Sequence, residues 1–144
     1  ADTAYDISDL GDSSVDDTKI GEITIQSNDG NGFYINLSSE QDGYLGLTDG
    51  SGTVLGSLSS TQKIGYNVKL SKSSSSSDLP TGLVESTSLD TNMALSTPTQ
   101  LSFVGAASSS TTDYILDINV NMAADTNIMG GDYKDVITVE IAEV

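Results

Sequence analysis

The sequence predicts an all-β protein, a single antiparallel β-sandwich of about eight strands, and three observations lead there. Over short stretches apolar residues recur at every second position, the period of a strand with one buried face. Between those stretches stand clusters of Gly, Asn, Asp and Ser, the residue types that suit tight turns. Helix-favouring Glu, Gln, Arg and Lys are scarce in a chain of 144 residues that is 36% hydrophobic and only 6% aromatic, a balance that suits thin β-layers. An antiparallel barrel is the other architecture open to the same pattern.

In residues 1–11, Tyr5 and Ile7 alternate with Asp6 and Ser8 ahead of a Gly11-Asp12 turn. This predicts an extended segment separable from the sandwich domain of residues 12–144. Ile23 and Ile25 share one face, and Phe33, Ile35 and Leu37 share one in the next stretch; the intervening Ser27-Asn28-Asp29-Gly30-Asn31-Gly32 predicts a hairpin. A second, shorter hairpin is predicted around Asp49-Gly50-Ser51-Gly52, joining residues 44–47 to residues 54–58. Residues 63–70 predict one continuous strand with Ile64, Tyr66, Val68 and Leu70 inward. Alternation fails across residues 71–96, and the five serines at 73–77 predict an exposed loop. That loop is either a flexible tip or an ordered excursion carrying Leu83, Val84, Leu89 and Met93 to the core. Residues 99–104 form a further strand after Pro98. The strongest alternation lies at residues 112–122, through Tyr114, Leu116, Ile118, Val120 and Met122. A closing strand over residues 133–144 places Tyr133, Ile137, Val139 and Ile141 on one face.

Composition removes several functions. The chain has no Cys, His, Trp or Arg, and its only cations are Lys19, Lys63, Lys69, Lys72 and Lys134. Without histidine there is no Ser-His-Asp or Cys-His catalysis and no ordinary zinc site. A net charge of −16 opposes nucleic acid and anionic lipid, which proteins bind by releasing counterions with Lys and Arg. No apolar run approaches the roughly 20 residues of a membrane span. The opening Ala1-Asp2-Thr3-Ala4 is the small-residue start expected of a mature secreted protein after removal of a signal peptide.

Two turns, Asp29-Gly30-Asn31-Gly32 and Asp49-Gly50-Ser51-Gly52, resemble pieces of an oxygen-ligand loop, which makes Asp29, Asn31 and Asp49 the candidate calcium ligands. Neither turn has the EF-hand spacing with its terminal Glu, and plain turns are the other reading. Asp12, Asp16 and Asp17 form one further acidic cluster, and Asp125, Asn127 and Asp132 another. With 21 acidic residues some close carboxylate pair is inevitable, so such a pair signals nothing, and no Trp is present to stack on a sugar. No catalytic or cofactor-binding residue is assigned.

Three stretches carry a resemblance to a family. They are residues 20–39, beginning Ile20-Gly21-Glu22-Ile23-Thr24-Ile25; then Ile64-Gly65-Tyr66-Asn67-Val68; and late in the chain Gly130-Gly131-Asp132-Tyr133-Lys134-Asp135-Val136-Ile137-Thr138-Val139. Together they resemble the secreted pilin-like proteins related to spore coat protein U and the archaic chaperone–usher fimbrial subunits. The resemblance implies an immunoglobulin-like sandwich that polymerises head to tail when an extended segment of one subunit completes the sheet of the next, with or without a chaperone/usher system. The chain lacks a Cys pair, is strongly acidic, and has only about ten residues before Leu10-Gly11, all departures from the family pattern.

The expected function is therefore an extracellular filament, pilus or surface-matrix subunit, non-catalytic, serving adhesion or biofilm. Its donor strand would be residues 1–11, with Tyr5 and Ile7 filling pockets in a neighbouring copy. A secreted monomeric module binding carbohydrate or calcium is the alternative.

Overall fold

Most of the alternating stretches become β segments in the computed structural model, which describes residue 7 and residues 11–26, 30–106 and 112–144. In order these are β1 (Val15–Ile25), β2 (Gly32–Ser39), β3 (Tyr44–Leu47), β4 (Lys63–Gly65), β5 (Asn67–Lys72), β6 (Leu83–Val84), β7 (Met93–Ala94), β8 (Thr99–Gly105), β9 (Tyr114–Met122), β10 (Tyr133–Lys134) and β11 (Ile137–Glu143). One 3-10 turn, Ser60–Gln62, precedes β4.

The strands form three antiparallel sheets. Sheet I has the order β1-β9-β5-β7, sheet II the order β11-β2-β8-β6, and the small sheet III the order β10-β3-β4. One apolar core joins sheets I and II: Ile23, Ile25, Val68, Leu70, Leu116 and Val120 face Ile35, Leu37, Leu101 and Phe103. Phe103 stacks on Phe33 at 4.9 Å and meets the edge of Tyr114 from sheet I at 5.9 Å. The architecture is all-β and sandwich-like, and burial of each large aliphatic in it is worth roughly 1.5–3 kcal/mol.

Several elements differ from the sequence expectation, each for a physical reason. Residues 19–25 and 33–37 are not a hairpin, because β1 pairs with β9 while β2 pairs with β8 and β11. Two strands that each need one buried face obtain it equally well on opposite sides of a core. Gly32, the first residue of β2, has φ 99, and a Cβ there would stand 2.1 Å from the Phe103 carbonyl oxygen. The strand expected over residues 63–70 is broken at Tyr66, where the chain passes from β4 in sheet III to β5 in sheet I. The closing strand likewise splits into β10 in sheet III and β11 in sheet II.

The second hairpin is reduced to a single bridge, Thr48 to Val54. β3 instead pairs with β4 and β10, and Val54 and Leu58 cover Gly46, where a Cβ would be 2.6 Å from Val54 Cγ1. Of the alternatives for residues 71–96, the ordered excursion is the one observed. Met93 and Leu95 are buried, Leu83 and Leu89 half-buried, and Val84 exposed. Ser73 N donates to Ile115 O (2.9 Å), Ser77 N to Asp113 O (2.9 Å), and Ile115 N donates to Ser76 Oγ (2.7 Å). The serine run thus extends alongside β9 after β5 ends, a side-chain hydroxyl taking the place of a carbonyl partner.

Candidate functional site

A strand without a second neighbour exposes a row of N–H and C=O groups, a template for another chain unless something blunts it. Among the described residues six strands terminate the three sheets, and four of them, β4, β6, β7 and β10, are only two or three residues long. β1 is long, but its register slips between Val15 and Thr18 and again between Lys19 and Gly21. Asp17 sits in that irregular stretch at φ 43 and is exposed, as are Asp16, Lys19 and Glu22. Asn121 Oδ1 receives the Asp17 N–H at 2.7 Å, and Lys69 Nζ lies 2.7 Å from Asp17 Oδ1. The Lys69 ammonium, with the Asn121 amide, holds the Asp17 carboxyl below its usual range. Bulges and charge of this kind protect an edge.

β11 carries the exposed Glu140 and Glu143 but has no bulge. It pairs with β2 through seven consecutive residues without a slip, and among the described residues no strand pairs with its other side. Val139 stands opposite Leu37 and Ile141 opposite Ile35, so both point toward the core. Yet Ile141 is 45% exposed while Ile35 is 0% exposed. Ile137 and Val139 are half-buried against the core, and Val136 and Val144 are exposed at either end of the strand. Among the described residues the core is therefore only partly covered along β11, over an apolar stripe at period two.

A hydrogen-bond hub fixes where β11 begins. The Asp135 carboxylate accepts from Ser39 Oγ (2.5 Å), the Tyr66 hydroxyl, Gln41 N (2.9 Å) and Val136 N (2.8 Å). Ser39 Oγ in turn accepts from Gly43 N (2.8 Å), and Tyr66 N donates to Gly43 O (3.1 Å). The hub ties the end of β2, the β2–β3 turn and the two places where the chain changes sheet. Burial, reinforced by the Asp135 charge, pushes the Tyr66 phenol well above its ordinary pKa. Asp135 was legible as a signal in the sequence: it occupies the inward phase shared by Tyr133, Ile137, Val139 and Ile141, where an unpartnered acid would be costly. Ser39 continues the phase of Phe33, Ile35 and Leu37 in the same way.

Of the proposed assembly residues, Ile7 is half-buried against the core of its own chain, and Tyr5 lies outside the described residues. Gly11, at φ 86, accepts from Asp125 N (3.1 Å) and so anchors the chain just before β1. Of the candidate calcium ligands, Asp29 lies outside the described residues. Asn31 enters β2, its carbonyl receiving Gly105 N at 3.2 Å, while Asp49 leaves β3 in another sheet. Asp49 Oδ1 accepts from Ser51 N (2.9 Å), Ser51 Oγ (2.7 Å) and Thr53 N (3.4 Å), closing its own turn. Those bonds, the Ser51 hydroxyl first, lower its pKa. Among the described residues no group of three or more Asp, Glu, His or Cys is placed to hold a metal ion.

An open cleft of about 620 Å³ has Asp16, Asp42, Tyr44, Asn67, Asn92 and Asn121 in its walls. Among the described residues no helix is long and apolar enough to cross a membrane. Comparison with known proteins found no matching family model, no matching curated protein and no matching solved structure.

Proposed function

We propose that this chain is a non-catalytic, immunoglobulin-like structural subunit of an extracellular filament or surface matrix, assembled by β-strand addition and serving adhesion or biofilm formation. The observation that carries the reading is the regular, bulge-free β11 edge with Ile141 facing the core yet 45% exposed. An added strand would satisfy the outer N–H and C=O groups of β11, and its side chains would cover Ile137, Val139 and Ile141. The donor is residues 1–11 of another copy, whose Tyr5 and Ile7 share one face. Ile7 already contacts apolar core within its own chain, so exchange transfers that contact to a neighbour. Repeated head to tail, such exchange gives an open filament, formed alone or with a chaperone/usher system.

Two variants test this. Deleting residues 1–8 removes the donor, and Ile141→Glu places a charge in the groove at a position exposed enough to leave the subunit folded. Sedimentation and negative-stain imaging should show filaments for the unaltered chain and folded single subunits for both variants. Normal filaments from either variant would exclude this donor and this edge.

The cleft beside Tyr44 supports a second reading, a monomeric module that takes a polyol or a calcium ion among its carboxylates and amides. Titration of Asp42→Ala and unaltered protein with calcium or an oligosaccharide, followed by calorimetry, separates the two readings: only the module binds, and only the unaltered protein does so.

A further inference from the structure

Assembly of the proposed kind, on which this inference rests, must bring like charges together. Residues 1–10 carry Asp2, Asp6 and Asp9 and no lysine, a side-chain charge of −3 out of −16, which leaves −13 on the rest of the chain. The strand they would join carries Glu140 and Glu143 and no cation. All five lysines have partners inside their own subunit. Lys19 lies 2.6 Å from Glu22 and 3.2 Å from Asp117, Lys69 pairs with Asp17, and Lys72 with Asp78. Lys63 sits 4.6 Å from the centre of the Tyr44 ring, and Lys134 Nζ donates to Gly52 O at 3.3 Å. A −3 segment therefore approaches a −13 neighbour whose cations are already engaged, and only dissolved counterions can offset the repulsion.

We infer that subunit association is gated by ionic strength, with single subunits at low salt and filaments at high salt. The repulsion acts over about 30 Å at ~0.01 M salt but only about 3 Å at ~1 M, whereas the apolar contacts along β11 do not weaken with salt. Any small cation serves, because the effect is screening and needs no dedicated site.

The experiment follows filament formation by sedimentation across sodium chloride from about 10 mM to about 1 M, with the apparent association constant expected to rise roughly tenfold or more. The triple variant Asp2→Asn, Asp6→Asn, Asp9→Asn should assemble at distinctly lower salt than the unaltered chain, as should Glu140→Gln, Glu143→Gln. Calcium chloride at equal ionic strength should match sodium chloride to within a few-fold. A salt response unchanged in both variants would indicate simple salting-out and overturn the inference, as would filaments whose formation ignores or falls with salt; the proposed function survives these results. A large excess effect of calcium would replace screening by a bound ion and also overturn it. Absence of filaments at every salt concentration would instead defeat the proposed function itself.

Discussion

Replacing Asp135 with alanine tests whether the hub, and with it the seating of β11, depends on one carboxylate. The substitution removes the acceptor for the Ser39 and Tyr66 hydroxyls and for the Gln41 and Val136 N–H groups. Hydrogen bonds to charged groups contribute about 1.5–3 kcal/mol each, so a simple sum of four approaches the ~5–15 kcal/mol that holds a whole domain together. That sum overstates the loss, because Val136 is 41% exposed and Gln41 half-buried, and water can replace the carboxylate at both N–H groups. The Tyr66 hydroxyl, on a residue only 5% exposed, has no such substitute. The expected cost is about 3–5 kcal/mol, a fall in Tm of roughly 10–20 °C. Tyr66→Phe, which deletes one of the four bonds without leaving the carboxylate bare, should cost about 1–2 kcal/mol. Urea unfolding of both single variants and the double variant gives the coupling directly, and it should exceed about 1 kcal/mol. A loss below about 1 kcal/mol for Asp135→Ala, or strict additivity in the double variant, would refute the hub.

Two further outcomes follow from the same structure. Tyr66 and Tyr114 are buried, beside Asp135 and Glu85 respectively, and both phenols titrate above their ordinary value. The folded state therefore keeps protons that the unfolded chain releases. Stability should be full below about pH 10 and decline above it, by at most ~1.4 kcal/mol per pH unit for each tyrosine, less where the hydroxyl meets solvent. Denaturation followed from pH 9 to pH 12 should show a shallower slope for Tyr66→Phe and for Tyr114→Phe, and equal slopes would reject the assignment. Truncation after Gly131 removes β10, β11 and Asp135, leaving Leu37 and Ile35 without their partners on β11. Such a chain should lose cooperative unfolding and its native β spectrum by circular dichroism; retention of both would show that β11 is not integral to the fold.

The local sequence determined which residues point inward, because a strand's period of two is a property of the backbone and needs no partner. Tyr114, Leu116, Ile118, Val120 and Met122 were legible as one buried face, and all are buried. Ile64, Tyr66, Val68 and Leu70 kept their inward phase even though the chain changes sheet between them. Part of the site was legible too, since Asp135 and Ser39 stand in inward phases where a polar group needs partners. Their partners were not legible, because the Tyr66–Asp135 contact joins positions 69 residues apart and depends on how two sheet crossings meet.

Which strand pairs with which was decided only in three dimensions. A Gly/Asn turn between two one-faced strands serves a hairpin or a passage across the core, and only the pairing of β1 with β9 and of β2 with β8 and β11 shows that β1 and β2 lie in different sheets. The serine run became ordered because β9 offers it backbone partners, a fact absent from its own composition. The open edge belongs to the same class. Ile137, Val139 and Ile141 have the alternation of a covered strand, and tertiary structure alone leaves them half-exposed, because cover depends on a neighbouring strand and not on the residues that need it.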